Sequence, residues 1–495
     1  MASSADFIAL HARLQPDRQA ARDLASGRHW TYAELHVATA QFAAALVARG
    51  IRAGDRVAVI AGNSVDLALL HHACARIGAI YVPLNWRLSS VELSWLIEDC
   101  EPALVVGDAR LEAAGIEGLA LADLAAEAAR LAPRPDSPID PDRPSLILYT
   151  SGTSGRPKGA VISERNLAET AINFSLLGQV DRDSVFLVDA PMFHIIGLVT
   201  NFRPAFMRGG SVVVSDGFNP GRTLERLGDP QIGATHYFCV PQMAAELRAE
   251  RGFDPERLSG LTALFTGGAP HPAADIVAWL DAGIAVADGF GMSEAGTVFG
   301  MPLDPRLIRE RAGSAGFATP RVQSRIVDEA GRDCPVGEAG ELLLRGDNIA
   351  SGYWRRPEDT RAAFLDGGWF RTGDVVRADA EGYHWLVDRK KDMFISGGEN
   401  VYPAEVEAVL AGHPAIAECA VIGVPDARWG EVGHLFVVPA GEAVPDMTAI
   451  LSSLDGRLAR FKIPKHTSLI EALPRNGAGK VLKTELRARA RTEDA

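Results

Sequence analysis

The stretch Leu148-Tyr-Thr-Ser-Gly-Thr-Ser-Gly-Arg-Pro-Lys-Gly159 joins an apolar run of strand length to a loop of glycine, serine and threonine. The loop ends in Lys158, one of only seven lysines among 50 basic residues. Glycines let backbone N–H groups converge on an anion, hydroxyl groups add donors, and a lysine neutralises negative charge. The spacing differs from GxxxxGK[ST]. The sequence therefore predicts a phosphate-binding loop at a strand end that is not a conventional P-loop.

Outward from this loop, short apolar runs alternate with amphipathic helical stretches from Arg56 to about Gly300. The runs of strand length are 57–60, 104–106, 146–149, 185–188, 211–214, 237–240 and 264–265. This pattern favours parallel strands with crossover helices and ligand-binding loops at the carboxyl ends of the strands.

The texture of the sequence changes after about Gly313, where short strands separated by turns predict a small β-rich subdomain. A predicted helix at Pro403–Leu410 and strands at 420–424 and 435–438 follow. We therefore expect an α/β protein, with a large N-terminal domain of layered α/β subdomains plus the β-rich subdomain, at residues 1–390. A small α+β C-terminal domain is predicted at residues 391–495.

Composition excludes several classes of function. The 495 residues carry a net charge of −13, a field that repels nucleic acid and anionic membranes. The five cysteines are far apart and form no CxxC pair, which argues against a disulfide framework or a zinc knuckle. No run approaches the roughly 18 apolar residues of a membrane span. We expect a cytoplasmic protein without a nucleic-acid partner or a membrane span.

Several further motifs follow the glycine-rich loop in a fixed order. They are Gly267-Gly-Ala-Pro270, Gly289-Phe-Gly-Met-Ser-Glu294, Trp369-Phe-Arg-Thr-Gly-Asp374, Asp388-Arg-Lys-Lys-Asp392, Gly397-Gly-Glu-Asn-Val-Tyr-Pro-Ala-Glu405 and Pro474-Arg-Asn-Gly-Ala-Gly-Lys480. Together they resemble the adenylate-forming superfamily of acyl-CoA synthetases, nonribosomal peptide adenylation domains and luciferases. The likeness runs from about Trp30 to Lys483, and its texture is most similar to bacterial aryl-CoA ligases of the feruloyl- or benzoate-activating kind.

The resemblance implies binding of ATP, Mg²⁺ and coenzyme A. The implied nucleotide-binding residues are Thr150, Ser151, Gly152, Thr153, Ser154, Gly155, Gly268, Ala269, Pro270, Gly289, Phe290, Gly291, Met292 and Ser293. Lys158 and Glu294 are implied to be catalytic residues. Phe290 takes the usual tyrosine place and offers a flat face to adenine. Glu294 and Ser293 supply the oxygen ligands that Mg²⁺ prefers. Asp374 and Arg389 are implied to hold the ribose.

The resemblance also implies two half-reactions with alternation of a mobile C-terminal domain. A carboxylate first attacks ATP to give acyl-AMP, with Lys480 stabilising the charge that builds on the α-phosphate. The C-terminal domain then pivots at Lys391 and presents Gly397 and Gly398 to the thiol. Trp429 is implied to stack on the adenine of coenzyme A, although a packing role is equally compatible with its sequence context.

The implied acyl pocket combines an aromatic gate with apolar or glycine walls. Its residues are Phe193, His194, Val240, Met243, Gly268, Gly289 and Gly296. The gate would make His194 a catalytic residue, although a buried structural histidine is the simpler alternative. Such a wall favours an uncharged acyl group, with an aromatic acid preferred. A medium-chain fatty acyl-CoA synthetase and an acyl-AMP ligase that loads a carrier protein remain alternatives. Whether Arg203 recognises substrate, and whether the protein is a monomer or a homodimer, stays open.

Overall fold

The computed structural model describes residues 6–150, 157–269, 271–389, 392–396, 399–426, 428–441, 443–455, 457–458, 460–475 and 481–493. The chain divides into two compact units. The first consists of Met1–His271, Asp275–Ser324 and Leu344–Phe370, and the second of Pro272–Ala274, Arg325–Leu343 and Arg371–Ala495. The domain boundary at residue 390 stays a prediction.

The strands, in chain order, are β1 (Gln19–Asp23), β2 (His29–Thr31), β3 (Arg56–Ile60), β4 (Ile80–Pro83), β5 (Leu104–Gly107), β6 (Leu119–Ala120), β7 (Pro144–Thr150), β8 (Lys158–Ser163), β9 (Val185–Val188), β10 (Ser211–Val214), β11 (His236–Cys239), β12 (Ala263–Thr266), β13 (Val286–Met292), β14 (Gly296–Gly300), β15 (Phe317–Ala318), β16 (Gln323–Val327), β17 (Gly340–Arg345), β18 (Gly352–Tyr353), β19 (Phe364–Leu365), β20 (Trp369–Ala378), β21 (His384–Arg389), β22 (Phe394–Ser396), β23 (Glu399–Val401), β24 (Ile416–Asp426), β25 (Gly430–Pro439) and β26 (His466–Leu469).

The α-helices are α1 (Phe7–Leu14), α2 (Tyr32–Ala48), α3 (Val65–Ile77), α4 (Ser90–Cys100), α5 (Ala109–Ala113), α6 (Leu121–Ala128), α7 (Glu164–Leu177), α8 (Phe202–Arg208), α9 (Pro220–Leu227), α10 (Pro241–Ala249), α11 (Ala273–Asp281), α12 (Pro305–Glu310), α13 (Pro357–Ala363), α14 (Pro403–Leu410), α15 (Met447–Ser452) and α16 (Lys483–Glu493). A π-helical turn covers Ile196–Thr200, and 3₁₀ turns cover Pro255–Leu258 and Arg460–Lys462.

A seven-stranded sheet in the first unit carries the glycine-rich loop. Its order is β18-β8-β7-β4-β3-β5-β6. Strand β7 is parallel to β4, whereas β8 runs antiparallel to β7 and β18 antiparallel to β8. Leu146, Ile147 and Leu148 are almost completely buried, as expected for a central strand. The sheet therefore ends in an antiparallel extension that follows the loop.

A nine-stranded sheet in the same unit has the order β15-β14-β13-β12-β11-β9-β10-β1-β2. Its centre is parallel, from β13 through β12, β11 and β9 to β10 and β1, and the outer strands β14, β15 and β2 are antiparallel. Phe174 of α7 packs on the rings of Phe186, Phe238 and Phe265, which gives this face of the sheet an aromatic core. The predicted parallel architecture with crossover helices is confirmed.

The second unit contains a sheet buried on both faces. Its order is β23-β22-β25-β24, with β26 parallel to β25. Successive side chains of β24 point to opposite faces of the sheet. Val421 packs in the core with α14 and α15, and Ile422 packs in the core with Leu486 of α16. The small α+β fold predicted for the C-terminal region is confirmed. None of the helices within the described ranges is long and apolar enough to cross a membrane.

Candidate active site

The base of the glycine-rich loop is fixed by strand pairing. Thr150, the last residue of β7, lies directly opposite Lys158, the first residue of β8. Predicted phosphate-binding residues Ser151, Gly152, Thr153, Ser154 and Gly155 lie outside the described residues, as does Pro270. The strand register therefore places Thr150 and Lys158 side by side where the loop leaves the sheet.

A carboxylate reaches the same place from the nine-stranded sheet. Glu294 follows β13, and its Oε1 accepts hydrogen bonds from the Tyr353 hydroxyl at 3.0 Å and, more weakly, from Thr150 Oγ1 at 3.4 Å. Tyr353 is brought there because β18 pairs with β8, opposite Ala160. The structure thus joins two sheets at one buried carboxylate. Tyr353 precedes Trp354 in the sequence, but its contact with Glu294 is visible only in the fold.

Lys158 has an acidic partner that the sequence does not reveal. Its Nζ forms an ion pair with the carboxylate of Asp359 on α13 and lies 5.6 Å from the centroid of the Tyr353 ring. Helix α13 is held in place by Thr360, whose Oγ1 accepts a hydrogen bond from the Tyr353 N–H at 2.9 Å. Asp359 lies in the ordinary-looking run Arg-Pro-Glu-Asp-Thr, which carries no local signal for a site.

Two glycines of β13 are required by the close approach of β14. A Cβ on Gly291 would lie 2.3 Å from the Gly296 carbonyl oxygen, and one on Gly289 would lie 2.9 Å from the Phe299 carbonyl oxygen. Both distances are shorter than a Cβ tolerates. Phe290 lies between these glycines, opposite Phe299 in register, and its ring is 5.6 Å from that of Phe299. Met292 ends the strand and Ser293 follows in the turn.

Gly268 has a different reason to be glycine. Its φ of +83° lies in the left-handed region that favours glycine, and a Cβ there would make only ordinary contacts with Ile196 and Val240, at 3.7 and 3.8 Å. Gly268 and Ala269 are exposed at the end of β12, whereas Val240 is partly buried at the start of α10 and Met243 lies in its first turn. The structure brings Gly268 and Val240 together, with Ile196 as an unpredicted neighbour.

The predicted aromatic gate is an aromatic and cationic cluster. The Phe193 ring lies 4.5 Å from the His194 ring and makes an edge contact with Trp86 at 6.2 Å. The Arg87 guanidinium stacks 5.0 Å from Trp86 and 5.6 Å from Phe193. The sequence does not predict Trp86 and Arg87 as neighbours of Phe193, because they lie more than 100 positions away from it in the chain. This cluster therefore includes a cation in addition to the expected apolar groups.

His194 is neutral at physiological pH. Burial, reinforced by the positive charge of Arg87, lowers the pKa of His194 to about 4. Its Nε2 is buried and has no hydrogen-bond partner among the described residues. The residue lies just before the π-helical turn Ile196–Thr200, a rare geometry that often marks functional sites. A neutral imidazole with an unused nitrogen can accept or donate one hydrogen bond to a bound group.

Arg203 is a structural residue. It lies completely buried on α8, and its guanidinium donates to both carboxylate oxygens of Glu164, at 2.7 and 3.0 Å. Ser145 also donates to Glu164. Because both groups of this pair are about 2% exposed, Arg203 cannot reach a substrate. Arg203 is therefore not a substrate-recognition residue.

The second unit holds the remaining predicted residues. Asp374 lies buried on β20, opposite Arg389 of β21 in register. Trp429 is 37% exposed, with Lys465 Nζ at 4.5 Å and the Arg428 guanidinium at 4.9 Å from its ring. Four predicted residues of this unit lie outside the described ranges: Lys391, Gly397, Gly398 and Lys480.

The segments on both sides of residues 476–480 are firmly attached to the second unit. The Leu482 N–H donates to the Pro474 carbonyl oxygen at 2.7 Å. Lys483 Nζ donates to Glu407 Oε1 at 2.8 Å, and the same oxygen accepts the Val421 N–H at 2.7 Å. Burial opposes the charge of Lys483, but the carboxylates of Glu407 and Asp388 outweigh it and raise its pKa.

Comparison with known proteins assigns the chain to a family. Residues 8–354 match the family model of the AMP-binding enzymes, and residues 405–480 match that of their C-terminal domain. The chain belongs to the AMP-binding enzymes. This result agrees with the adenylate-forming resemblance inferred from the motifs.

Individual relatives of this AMP-binding enzyme cover almost its whole length. A feruloyl-CoA synthase of Amycolatopsis sp is 41% identical over 97% of both chains. An indoleacetate–CoA ligase of Aromatoleum aromaticum is 36% identical, again over 97% of both chains. Among solved structures, ATP-bound MatB from Rhodopseudomonas palustris aligns with a TM-score of 0.89 and 33% identity, covering 98% of this chain and 99% of that one.

The donor set of the site fits Mg²⁺ carried by a nucleotide. Across the described ranges, no group of three or more His, Cys, Asp and Glu side chains could hold a metal ion without help. Mg²⁺ in nucleotide sites needs only one or two protein carboxylates, since phosphates and water complete its coordination. Glu294, already oriented by the hydroxyl groups of Tyr353 and Thr150, meets this requirement.

Proposed function

We propose that this AMP-binding enzyme is an ATP-dependent ligase that joins a carboxylic acid to coenzyme A through an acyl-AMP intermediate. The observation that carries the proposal is the convergence of Thr150, Lys158, Tyr353 and Glu294 at the mouth of the glycine-rich loop. Cations, hydroxyl donors and one oriented carboxylate are the groups that a magnesium-bound triphosphate requires.

In the first half-reaction, a carboxylate oxygen of the acid attacks the α-phosphorus of ATP. The bond to the bridging oxygen breaks, and pyrophosphate leaves with the electron pair. Lys158 and the loop residues Ser151 to Gly155 hold the polyphosphate. Glu294 and Ser293 would hold the magnesium ion, which screens the negative charge of the polyphosphate when it is bound. Asp374 and Arg389 grip the ribose, and Lys480 stabilises the charge on the α-phosphate.

In the second half-reaction, the thiolate of coenzyme A attacks the acyl carbon and AMP leaves. We assign Gly397 and Gly398 to the passage for the thiol arm, Lys391 to the hinge and Trp429 to the adenine of coenzyme A. The side chain of Trp429 is exposed enough to stack on a base, and the charges of Lys465 and Arg428 beside it suit a phosphorylated ligand.

The preferred acid is aromatic. Phe193 and Trp86 provide flat faces, and the neutral His194 adds one hydrogen-bonding nitrogen without a charge. Relatives named for feruloyl-CoA and indoleacetate–CoA support this choice over a medium-chain fatty acid. We further propose that the enzyme works in the cytoplasm as a monomer or homodimer, and that coenzyme A rather than a carrier protein is the acceptor.

The first test measures AMP release with MgATP for ferulate, coumarate, benzoate, octanoate and malonate, each with and without coenzyme A. AMP release that depends on coenzyme A and is fastest with the aryl acids is the expected result. Preference for octanoate would overturn the aromatic assignment. Malonate is included because Arg87 places a cation in the wall, and AMP release indifferent to coenzyme A would point to another acceptor.

The role of Lys480 has its own test. Lys480→Ala is expected to slow acyl-AMP formation by about 100-fold or more, since one lost charge-stabilising contact has effects of that order. Formation of acyl-CoA from supplied acyl-AMP should change by less than about threefold. Equal loss in the two assays would contradict the assignment of Lys480 to the first half-reaction.

A further inference from the structure

Asp359 forms an ion pair with Lys158, the cation that the proposed function assigns to the polyphosphate. The two side chains are 17% and 36% exposed, so solvent and ligands have access to the carboxylate. Lys158 Nζ also lies 5.6 Å from the centroid of the Tyr353 ring, and the hydroxyl group of that ring donates a hydrogen bond to Glu294. A ligand phosphate that approaches Lys158 therefore meets Asp359.

The carboxylate is held near Lys158 by secondary structure. Asp359 lies on α13, and the neighbouring Thr360 fixes that helix by accepting the Tyr353 N–H at 2.9 Å and donating to the Arg356 carbonyl oxygen at 2.9 Å. Tyr353 in turn belongs to β18, which pairs with β8, the strand that begins at Lys158. The pair is therefore built by paired strands and an anchored helix rather than by two freely placed surface chains.

We propose that Asp359 is a competing counter-ion that weakens the binding of polyphosphate at Lys158. The inference rests on the proposed function, because it takes the ligand of Lys158 to be the polyphosphate of ATP and pyrophosphate. When this ligand binds, its oxygens replace the Asp359 carboxylate on the ammonium group, and the remaining negative charge of Asp359 repels it. When pyrophosphate leaves, Asp359 takes its place, which favours product release.

The proposal makes a distinction among ligands. ATP and pyrophosphate carry the phosphates that compete with Asp359, whereas AMP lacks the β- and γ-phosphates. Removing the charge of Asp359 should therefore tighten the binding of ATP and pyrophosphate and leave the binding of AMP almost unchanged. A carboxylate that instead served as a ligand of magnesium would give the opposite result, since its removal would weaken MgATP.

The experiment compares Asp359→Asn with the matched control Glu358→Gln. Glu358 is the exposed acid that precedes Asp359 on α13, so its variant removes the same charge from the same helix. Calorimetric titration of the full-length protein with pyrophosphate, MgATP and AMP gives the dissociation constants. Asp359→Asn should bind pyrophosphate and MgATP about three to ten times more tightly, and Glu358→Gln should change them by less than about twofold. Unchanged or weaker polyphosphate binding in Asp359→Asn would overturn the proposal.

A double-mutant cycle tests whether the effect passes through Lys158. In a Lys158→Met background, Asp359→Asn should change pyrophosphate affinity less than it does in the wild type. An equal gain in both backgrounds would overturn competition at Lys158. Failure of the proposed function would look different, because the wild-type protein would then bind neither MgATP nor pyrophosphate.

Discussion

The two units each contain a lysine in a defined ion pair, and the pairs differ in what else the acid does. Glu407 of the second unit binds Lys483 and also accepts the Val421 N–H, so the pair is part of the hydrogen bonding of the fold. Asp359 of the first unit faces Lys158 from an anchored helix and is more exposed. Glu407 is thus bonded to the backbone as well as to its lysine, whereas a ligand that replaced Asp359 at Lys158 would break no backbone hydrogen bond given by the described residues.

The largest expected difference follows removal of the lysine at the ligand site. Lys158→Met should slow acyl-AMP formation by about 100- to 1000-fold, because the polyphosphate loses a charge-stabilising donor. Its free energy of unfolding should change by no more than about 1 kcal/mol, since the pair is partly exposed. Pyrophosphate exchange and denaturant unfolding measure the two effects. A loss of stability that accounts for the lost activity would break the comparison.

The corresponding change in the second unit should act on stability. Lys483→Met is expected to lower the free energy of unfolding by about 1–3 kcal/mol, because Glu407 keeps its charge in a mostly buried place. Lys462→Met is a matched control, since Lys462 donates to Glu405 at 2.7 Å but is more exposed. In thermal and denaturant unfolding, that control should lose less than about 1 kcal/mol of unfolding free energy. A similar loss in both variants would remove the distinction.

A buried acid of the first unit predicts a dependence of stability on pH. Burial raises the pKa of Asp288 to about 7, against a hydrogen bond from Thr266. The folded chain therefore holds a proton that the unfolded chain releases above about pH 4. The stability contributed by this carboxyl is present below that pH and is lost as pH rises to about 7.

The measurement is the unfolding free energy of wild type and Asp288→Asn between pH 4 and 7. The wild type should lose about 1–3 kcal/mol relative to the variant as pH rises through this range. The difference between the two proteins is needed because burial lowers the pKa values of His72 and His194 to about 4. These histidines act in the opposite direction in both proteins. A constant difference would show that Asp288 is charged throughout.

The smallest predicted effect concerns the exposed aromatic group of the second unit. Trp429→Ala should raise the KM for coenzyme A about three- to tenfold, the range expected for loss of one stacking contact beside cations. Acyl-AMP formation should not change. Steady-state kinetics with varied coenzyme A, alongside pyrophosphate exchange, separates the two. Unchanged KM would favour the packing role for Trp429.

The sequence predicted the repeating elements better than the contacts among them. The helix Pro403–Leu410 and the strand runs at 57–60 and 146–149 agree with α14, β3 and β7, because hydrophobic runs report burial directly. Strand β8 was not predicted. Its sequence has no pattern of apolar and polar residues that distinguishes an antiparallel strand after a loop from the parallel strands of the same sheet.

The candidate site shows the same division. Thr150, Lys158 and Glu294 are visible in the sequence because their motifs are local. Asp359 and Arg87 are not, because their importance comes from partners that only the fold brings near. The roles of the residues outside the described ranges, Lys480 among them, stay predictions.

The sequence separations within the site have a consequence for synthesis of the protein. Lys158 and Asp359 are 201 positions apart, and β18 reaches β8 from a similar distance. Because the ribosome delivers residues in order, β8 emerges with its outer edge unpaired and keeps that edge until nearly two hundred further residues have followed. The nascent chain therefore cannot complete the cluster around Lys158 until Tyr353 and Asp359 have been made.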